Sequence, residues 1–164
     1  EFEVLNALLA QQQLDAAMDN FQNLQDDHAK SPYTSMAALH MARARLEVDQ
    51  PDLAIGLYEY VVENGYPKAL TVVARERLSR VLLDQGRADE AMQMLDGAGE
   101  TPGFEARFAE VRGDIHYSQG RVAEAEDAYL EALGLLEAGV GDRARLVMKL
   151  ESMGADVPED GTES

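Results

Sequence analysis

Residues Gln85-Gly86-Arg87-Ala88-Asp89-Glu90-Ala91 return 34 positions later as Gln119-Gly120-Arg121-Val122-Ala123-Glu124-Ala125, with five of the seven residues identical. A repeat of this length is a single supersecondary unit, too small to bury its apolar face alone, so it must stack on its neighbours. Residue types define slots within it. Gly113 is the small residue of a first helix, Gly120 makes the turn, and Ala125 marks where a second helix crosses closely. Tyr129 is the bulky wedge and Ala132 the next small position. One period earlier the same slots hold Ser79, Gly86, Ala91, Leu95 and Ala98. A third copy, 37 residues further back, offers Ala42, Ala54, Tyr58 and Val61, with Asp49-Gln50-Pro51-Asp52 as its turn. A partial fourth copy is Leu5, Ala17, Phe21 and Leu24, whose polar turn Gln11-Gln12-Gln13 lacks glycine.

Helical periodicity agrees with the repeat. Leu78, Val81, Leu82 and Gln85 follow the i, i+3, i+4, i+7 spacing, apolar until the turn, and Leu53, Leu57, Tyr58, Val61 and Val62 share one stripe. No stretch sustains the apolar/polar alternation of a half-buried strand. The period and slots are those of the tetratricopeptide (TPR) repeat. The expected fold is therefore all-α, a TPR-like helical solenoid of about four antiparallel helix pairs plus a C-terminal capping helix, with helices of roughly 10–14 residues. Asn64-Gly65-Tyr66-Pro67 and the Gly-rich stretch 96–103 read as loops. After Ala132 the helix is expected to run to about Glu137 and to break at Gly139–Gly141. A last helix, Asp142 to Met153, then caps the stack. The repeat domain is expected to occupy 1–154 and a disordered acidic tail 155–164.

Composition limits the function. The formal net charge is −17, which repels nucleic acid phosphates over most of the surface. Neither end is polybasic, so neither forms an anionic-lipid patch: residues 1–29 contain no Lys or Arg, and the last nine carry four acids and no base. Absence of cysteine removes disulfides and thiol chemistry. No run of 18 apolar residues is present. The sequence starts at Glu1 with no signal-peptide pattern, which reads as a boundary or processing site with chain missing upstream.

Catalytic and metal chemistry find no support. The three histidines are His28, His40 and His116, with no HExxH and no pair at i, i+4. Asp114 and His116 are two apart on a helix and point to different faces. Gly97-Ala98-Gly99 with Gly103 lacks the Lys-Ser/Thr of a phosphate-binding loop. No cofactor, metal or catalytic residue is assigned. The structural repeat positions are Ala17, Ala54, Gly86, Ala91, Gly113, Gly120, Ala125 and Tyr129.

The first helices of a TPR array line a groove suited to an extended peptide. By register this groove takes Met36, Leu39, Arg43 and Leu46, then Val73, Glu76, Arg80 and Leu83, then Arg107, Glu110, Asp114 and Tyr117. Apolar anchors would fill pockets while guanidinium groups fork onto carboxylates or carbonyls. Arg43, Arg80 and Arg107 read as a short basic line on three successive first helices. Part of the stripe could instead pack against the capping helix.

Several segments carry a closer resemblance. They are Ala16-Ala17-Met18-Asp19-Asn20-Phe21, then Ser31-Pro32-Tyr33 leading into Ala37-Ala38-Leu39, and Leu78-Ser79-Arg80-Val81-Leu82-Leu83. The most specific are Glu110-Val111-Arg112-Gly113-Asp114 and Ala125-Glu126-Asp127-Ala128-Tyr129. From about Val4 to about Met153 the chain resembles the periplasmic domain of YfgM-like proteins, ancillary subunits of the SecYEG translocon. That resemblance implies a single N-terminal transmembrane anchor outside these residues, an inner-membrane location and a domain facing the periplasm. It implies a non-catalytic protein–protein interaction module, with the translocon, a PpiD-type periplasmic chaperone and exported polypeptides as partners. A cytosolic TPR adaptor or co-chaperone reading a peptide motif is the alternative function, and an enzyme of unknown class the third.

Overall fold

A computed structural model describes residues 1–136 and 143–157. Among these residues the chain forms nine α-helices and no strand, in line with the all-α, TPR-like expectation. They are α1 (Phe2–Ala10), α2 (Leu14–His28), α3 (Pro32–Glu47), α4 (Pro51–Asn64), α5 (Lys68–Asp84), α6 (Ala88–Asp96), α7 (Glu105–Ser118), α8 (Val122–Leu135) and α9 (Arg143–Ser152). Lengths run from 9 residues in α1 and α6 to 17 in α5, a wider spread than the repeat suggests. α8 ends at Leu135, and the expected break at 139–141 lies outside the described residues, as do Glu137 and Asp142.

The chain divides into two compact units, Glu1–Arg87 and Ala88–Ser164. In the first, α1 packs on α2, α3 on α4 and α4 on α5, while α3 also meets α2, α1 and α5. In the second, α6 packs on α7, α7 on α8 and α8 on α9.

The turns between first and second helices share one geometry. Gln12, Asp49, Gly86 and Gly120 all take positive φ, at 58°, 57°, 73° and 73°. In each turn the next residue's N–H reaches back five residues: Gln13 to the Leu8 carbonyl, Gln50 to Arg45, Arg87 to Leu82 and Arg121 to His116, at 2.8–2.9 Å. This is the Schellman closure, which satisfies the orphan carbonyls of the helix end. Glycine enters the left-handed region without steric cost, whereas an L-residue with a side chain costs about 1–2 kcal/mol there. The first two turns therefore reach the geometry of the last two against local preference, held by the packing of their helix pairs. A fifth closure follows α9, where Gly154 has φ 76° and the Ala155 N–H reaches the Leu150 carbonyl at 3.1 Å. Since Gly154 lies 34 residues after Gly120, α9 occupies the first-helix place of a further copy.

The slots explain the close crossings. Ala17, Ala54, Ala91 and Ala125 are each fully buried at the start of a second helix. Four residues on, the wedges Phe21, Tyr58, Leu95 and Tyr129 are buried as well. At Gly113 a Cβ would lie 2.5 Å from Tyr129 Cε1 and 2.6 Å from Cδ1, so only glycine fits against this ring. The Tyr129 hydroxyl donates to Asp114 Oδ1 at 2.6 Å. Gly113-Asp114 is thus one device: the glycine admits the ring and the aspartate receives its hydroxyl. Buried polar groups elsewhere close helix ends. Thr34 Oγ1 donates to the His28 carbonyl at 2.6 Å, and Ser35 Oγ accepts the Tyr66 N–H at 2.9 Å. Ala155 and Val157, placed in the acidic tail by the sequence reading, pack against the cluster of Ala125, Tyr129, Leu133, Leu146 and Leu150. Residues 158–164 lie outside the described residues.

Candidate functional site

The first-helix face of the first unit carries the groove residues in different states. Leu39 on α3 is only 5 % exposed and belongs to the core, so it offers no surface to a ligand. Met36, Leu46 and Leu83 are half-buried. Arg43 is exposed and Arg80 half-buried, each paired within its own helix: Arg43 Nε to Glu47 at 2.9 Å, Arg80 Nε to Glu76 at 2.6 Å. Glu76 is itself buried, so it acts as the anchor that fixes Arg80 and is not an open contact.

The structure brings further residues to this face that the groove register passed over. His40 Nδ1 lies 2.8 Å from Asn6 Oδ1 on α1, and its ring centre sits 5.7 Å from that of Phe2, whose ring in turn meets Tyr33 at a tilt, 5.4 Å between centres. Arg77 on α5 lies beside the Tyr58 hydroxyl and close enough to His40 to act on its charge. The His40 pKa is lowered from the usual 6.5, first by burial and then by the positive fields of Arg77 and Arg43. The Tyr58 phenol is shifted up, mainly by burial. An open depression bordered by Glu1, Phe2, Glu3, Asn6, His28 and Tyr33 shares its wall with this cluster. The signal was present in the register. His40 and Arg77 share one slot at the 37-residue interval, and Arg43 and Arg80 share the next slot on the same face.

In the second unit the groove reading needs correction. Glu110 is 2 % exposed, and both its oxygens are taken: Arg145 donates from Nε at 2.8 Å and from Nη2 at 2.6 Å, and Lys149 donates at 2.7 Å. Lys149 also reaches Asp114 Oδ1 at 2.5 Å and sits 5.2 Å from the centre of the Tyr129 ring. Asp114 and Glu110 therefore hold α9 in place and are not open to a peptide. Arg107 is exposed, with its guanidinium 5.9 Å from the Phe104 ring centre. It does not continue the basic line, because the slot of Arg43 and Arg80 is filled in α7 by Asp114, 34 residues after Arg80. Tyr117 remains exposed at 52 %. The repeat positions Gly86 and Gly120 sit in the positive-φ turns described above.

Among the described residues no group of three His, Cys, Asp or Glu is placed to hold a metal ion, and no helix is long and apolar enough to cross a membrane. Stacked helix pairs, small crossing residues and Schellman turns in register point to one family, and a family model described as a tetratricopeptide repeat-like domain matches residues 1–155. The chain belongs to the tetratricopeptide repeat-like family. This TPR-like chain is also 30 % identical over 130 residues to the ancillary SecYEG translocon subunit of Neisseria gonorrhoeae. The match covers 79 % of the chain and 62 % of that protein, so the TPR-like chain spans under two thirds of the relative's length. The resemblance to YfgM-like ancillary translocon subunits is borne out by this similarity.

Proposed function

We propose that the chain is the protein-holding domain of an ancillary Sec translocon subunit, a module that binds polypeptides and catalyses nothing. The observation that carries this reading is the similarity to the Neisseria subunit, which runs across most of the repeat array. The exposed first-helix face of the first unit, with cations beside aromatic rings, supports peptide binding as the mode of action. On this reading residues 1–154 are the working domain, held at the inner membrane by an anchor outside these residues and facing the periplasm. There it meets the translocon, a PpiD-type chaperone and exported chains.

The test uses the full-length protein in its native membrane. Photo-crosslinking residues at Arg43, Arg80 and Tyr117 are compared with ones at the exposed positions Glu90 and Glu124. The expected result is crosslinks to translocon subunits, the chaperone or exported chains from the first set. Failure of the tagged protein to co-purify with the translocon would remove the reading. Crosslinks from the second set alone would move the contact to another face.

A further inference from the structure

Two successive first helices treat the same buried acid differently. On α5 the buried Glu76 finds a cation within its own helix, Arg80 four residues on, at 2.6 Å. On α7 the slot of Glu76 holds Glu110, also buried, but the slot of Arg80 holds Asp114. An acid thus stands where α5 places the neutralising arginine, and α9 brings cations from outside the helix. Arg145 and Lys149 reach Glu110 at 2.6 and 2.7 Å, and Lys149 reaches Asp114 at 2.5 Å. Between these cations in sequence, Leu146 and Leu150 are buried against Ala125, Tyr129 and Leu133. The segment that fits this face is therefore short and specific: Arg145-Leu146-Val147-Met148-Lys149-Leu150, a basic and an apolar stripe side by side on one helix. Met148 points away and is 68 % exposed. The helix beneath, α8, carries four acids and no Lys or Arg, so charge as well as shape selects a basic occupant.

We propose that the α7/α8 face of the second unit is a receptor for a basic amphipathic helix of a partner protein, of the pattern Arg-Leu-x-x-Lys-Leu, and that α9 is its resident, exchangeable occupant. This goes beyond the protein-holding reading above, which places the contact on the first helices of the other unit. Two features make α9 replaceable. At 10 residues it is shorter than the ~12–15 at which an isolated helix sustains itself, so its helicity depends on docking. Its hold rests on two leucines and on cations whose side chains are 46 % and 26 % exposed, and ion pairs open to water contribute less than enclosed ones. A partner helix with the same pattern satisfies Glu110 and Asp114 equally and, if longer, adds contact area beyond the ends of α9. Replacement is direct, because an emptied face would leave Glu110 without these cations, and stripping a buried carboxylate of its partners is strongly unfavourable. The partner and α9 therefore exclude one another, which makes α9 an internal brake on the site.

The experiment uses the purified, isotope-labelled chain and an unlabelled synthetic peptide copying Arg143–Ala155, so that NMR sees only the resident α9. Titration should move the α9 amide signals toward disordered positions while those of α7 and α8 stay dispersed. A tethered segment competes at an effective concentration on the order of mM, so the wild-type chain should bind the peptide weakly. Lys149→Ala in the chain loosens the resident helix and leaves the receptor acids in place, so it should tighten peptide binding at least tenfold by fluorescence anisotropy. A peptide carrying Arg145→Gln and Lys149→Gln should bind that variant at least tenfold more weakly. Adding Glu110→Gln to the Lys149→Ala chain should weaken the unaltered peptide by a similar factor. Because the Gln peptide probes the same contact from the ligand side, the result does not hinge on the folding of the Glu110 variant. Failure of the peptide to bind the Lys149→Ala chain overturns the proposal, as does binding that leaves the α9 signals in place. Equal affinity for the Gln peptide overturns it too. None of these outcomes depends on co-purification with the translocon, so the two readings fail separately.

Discussion

Gly113→Ala tests the wedge at its tightest point. A Cβ there would stand 2.5 and 2.6 Å from two ring carbons of Tyr129 and 3.0 Å from Cζ. The ring cannot simply swing aside, because it is 3 % exposed and its hydroxyl is tied to Asp114 at 2.6 Å. Three effects compete. Alanine is favoured over glycine in a helix interior by about 1 kcal/mol. Overpacking a fitted site costs about 1–3 kcal/mol. Displacing the hydroxyl from its carboxylate costs about 1.5–3 kcal/mol more if the ring must move. The net expectation is destabilisation by about 2 kcal/mol, which at a urea m-value of roughly 2 kcal/mol/M lowers the midpoint by about 1 M. Gly56→Ala and Gly134→Ala are the internal controls, since a Cβ at either helical position meets nothing within 4 Å. Both should raise the midpoint through the propensity gain alone. In a Tyr129→Leu background, which copies the Leu95 of the preceding repeat, Gly113→Ala should lose its penalty, so the double variant should be less destabilised than the sum of the two singles. Urea melts followed by circular dichroism would refute the wedge account if Gly113→Ala raised the midpoint as Gly134→Ala does.

The other expectations are simpler to check. Gln12→Gly should stabilise the chain by about 1 kcal/mol and Asp49→Gly by less, because Asp tolerates positive φ better, while Gly120→Ala should cost about 1 kcal/mol; thermal melts would show the order. Ala125→Leu should overpack a fully buried crossing and cost about 1–3 kcal/mol, whereas Ala123→Leu, on an exposed position, should cost little, so equal urea midpoints would break the register. Glu110→Ala should cost about 2 kcal/mol, discounted from a wholly buried ion pair because Arg145 and Lys149 remain partly exposed, and should raise hydrogen exchange selectively in α9. His40 and His116 both have pKa values lowered from 6.5, mainly by burial, so below 6.5 the unfolded chain binds more protons than the folded one. Stability should therefore be fully present above about pH 6.5 and fall as pH drops through the folded values, with His40→Asn flattening part of that slope.

The sequence exposed the fold through residues that sterics constrain. Gly113, Gly120, Ala125 and Tyr129 recur as types because each position tolerates few alternatives, and their spacing located the helix pairs. The Gln11–Gln13 turn was harder to read, since nothing in three glutamines signals a positive φ at the middle one. That conformation comes from the closure of the helix end and not from local preference. The site was less legible. Arg43 and Arg80 came from the groove register, but His40 and Arg77 became visible as a cluster only when α1, α3 and α5 stood side by side. That part of the stripe could pack against the capping helix was legible, but not that Glu110 and Asp114 are the residues α9 covers. In retrospect their spacing of four matches the spacing of Arg145 and Lys149, so the complementary pairs lie on facing helical turns.

The closure after α9 has a consequence for engineering. Gly154 ends that helix with the backbone geometry that elsewhere launches a second helix, and Leu146 and Leu150 already seat α9 on α8. The turn after α9 therefore carries a known register. A segment copied from Val122–Leu135 and spliced two residues beyond Gly154 would place its Ala125 counterpart at the same distance from the turn as in the parent repeat. Array length then becomes a design variable, and each added copy should raise cooperativity through one more nearest-neighbour interface.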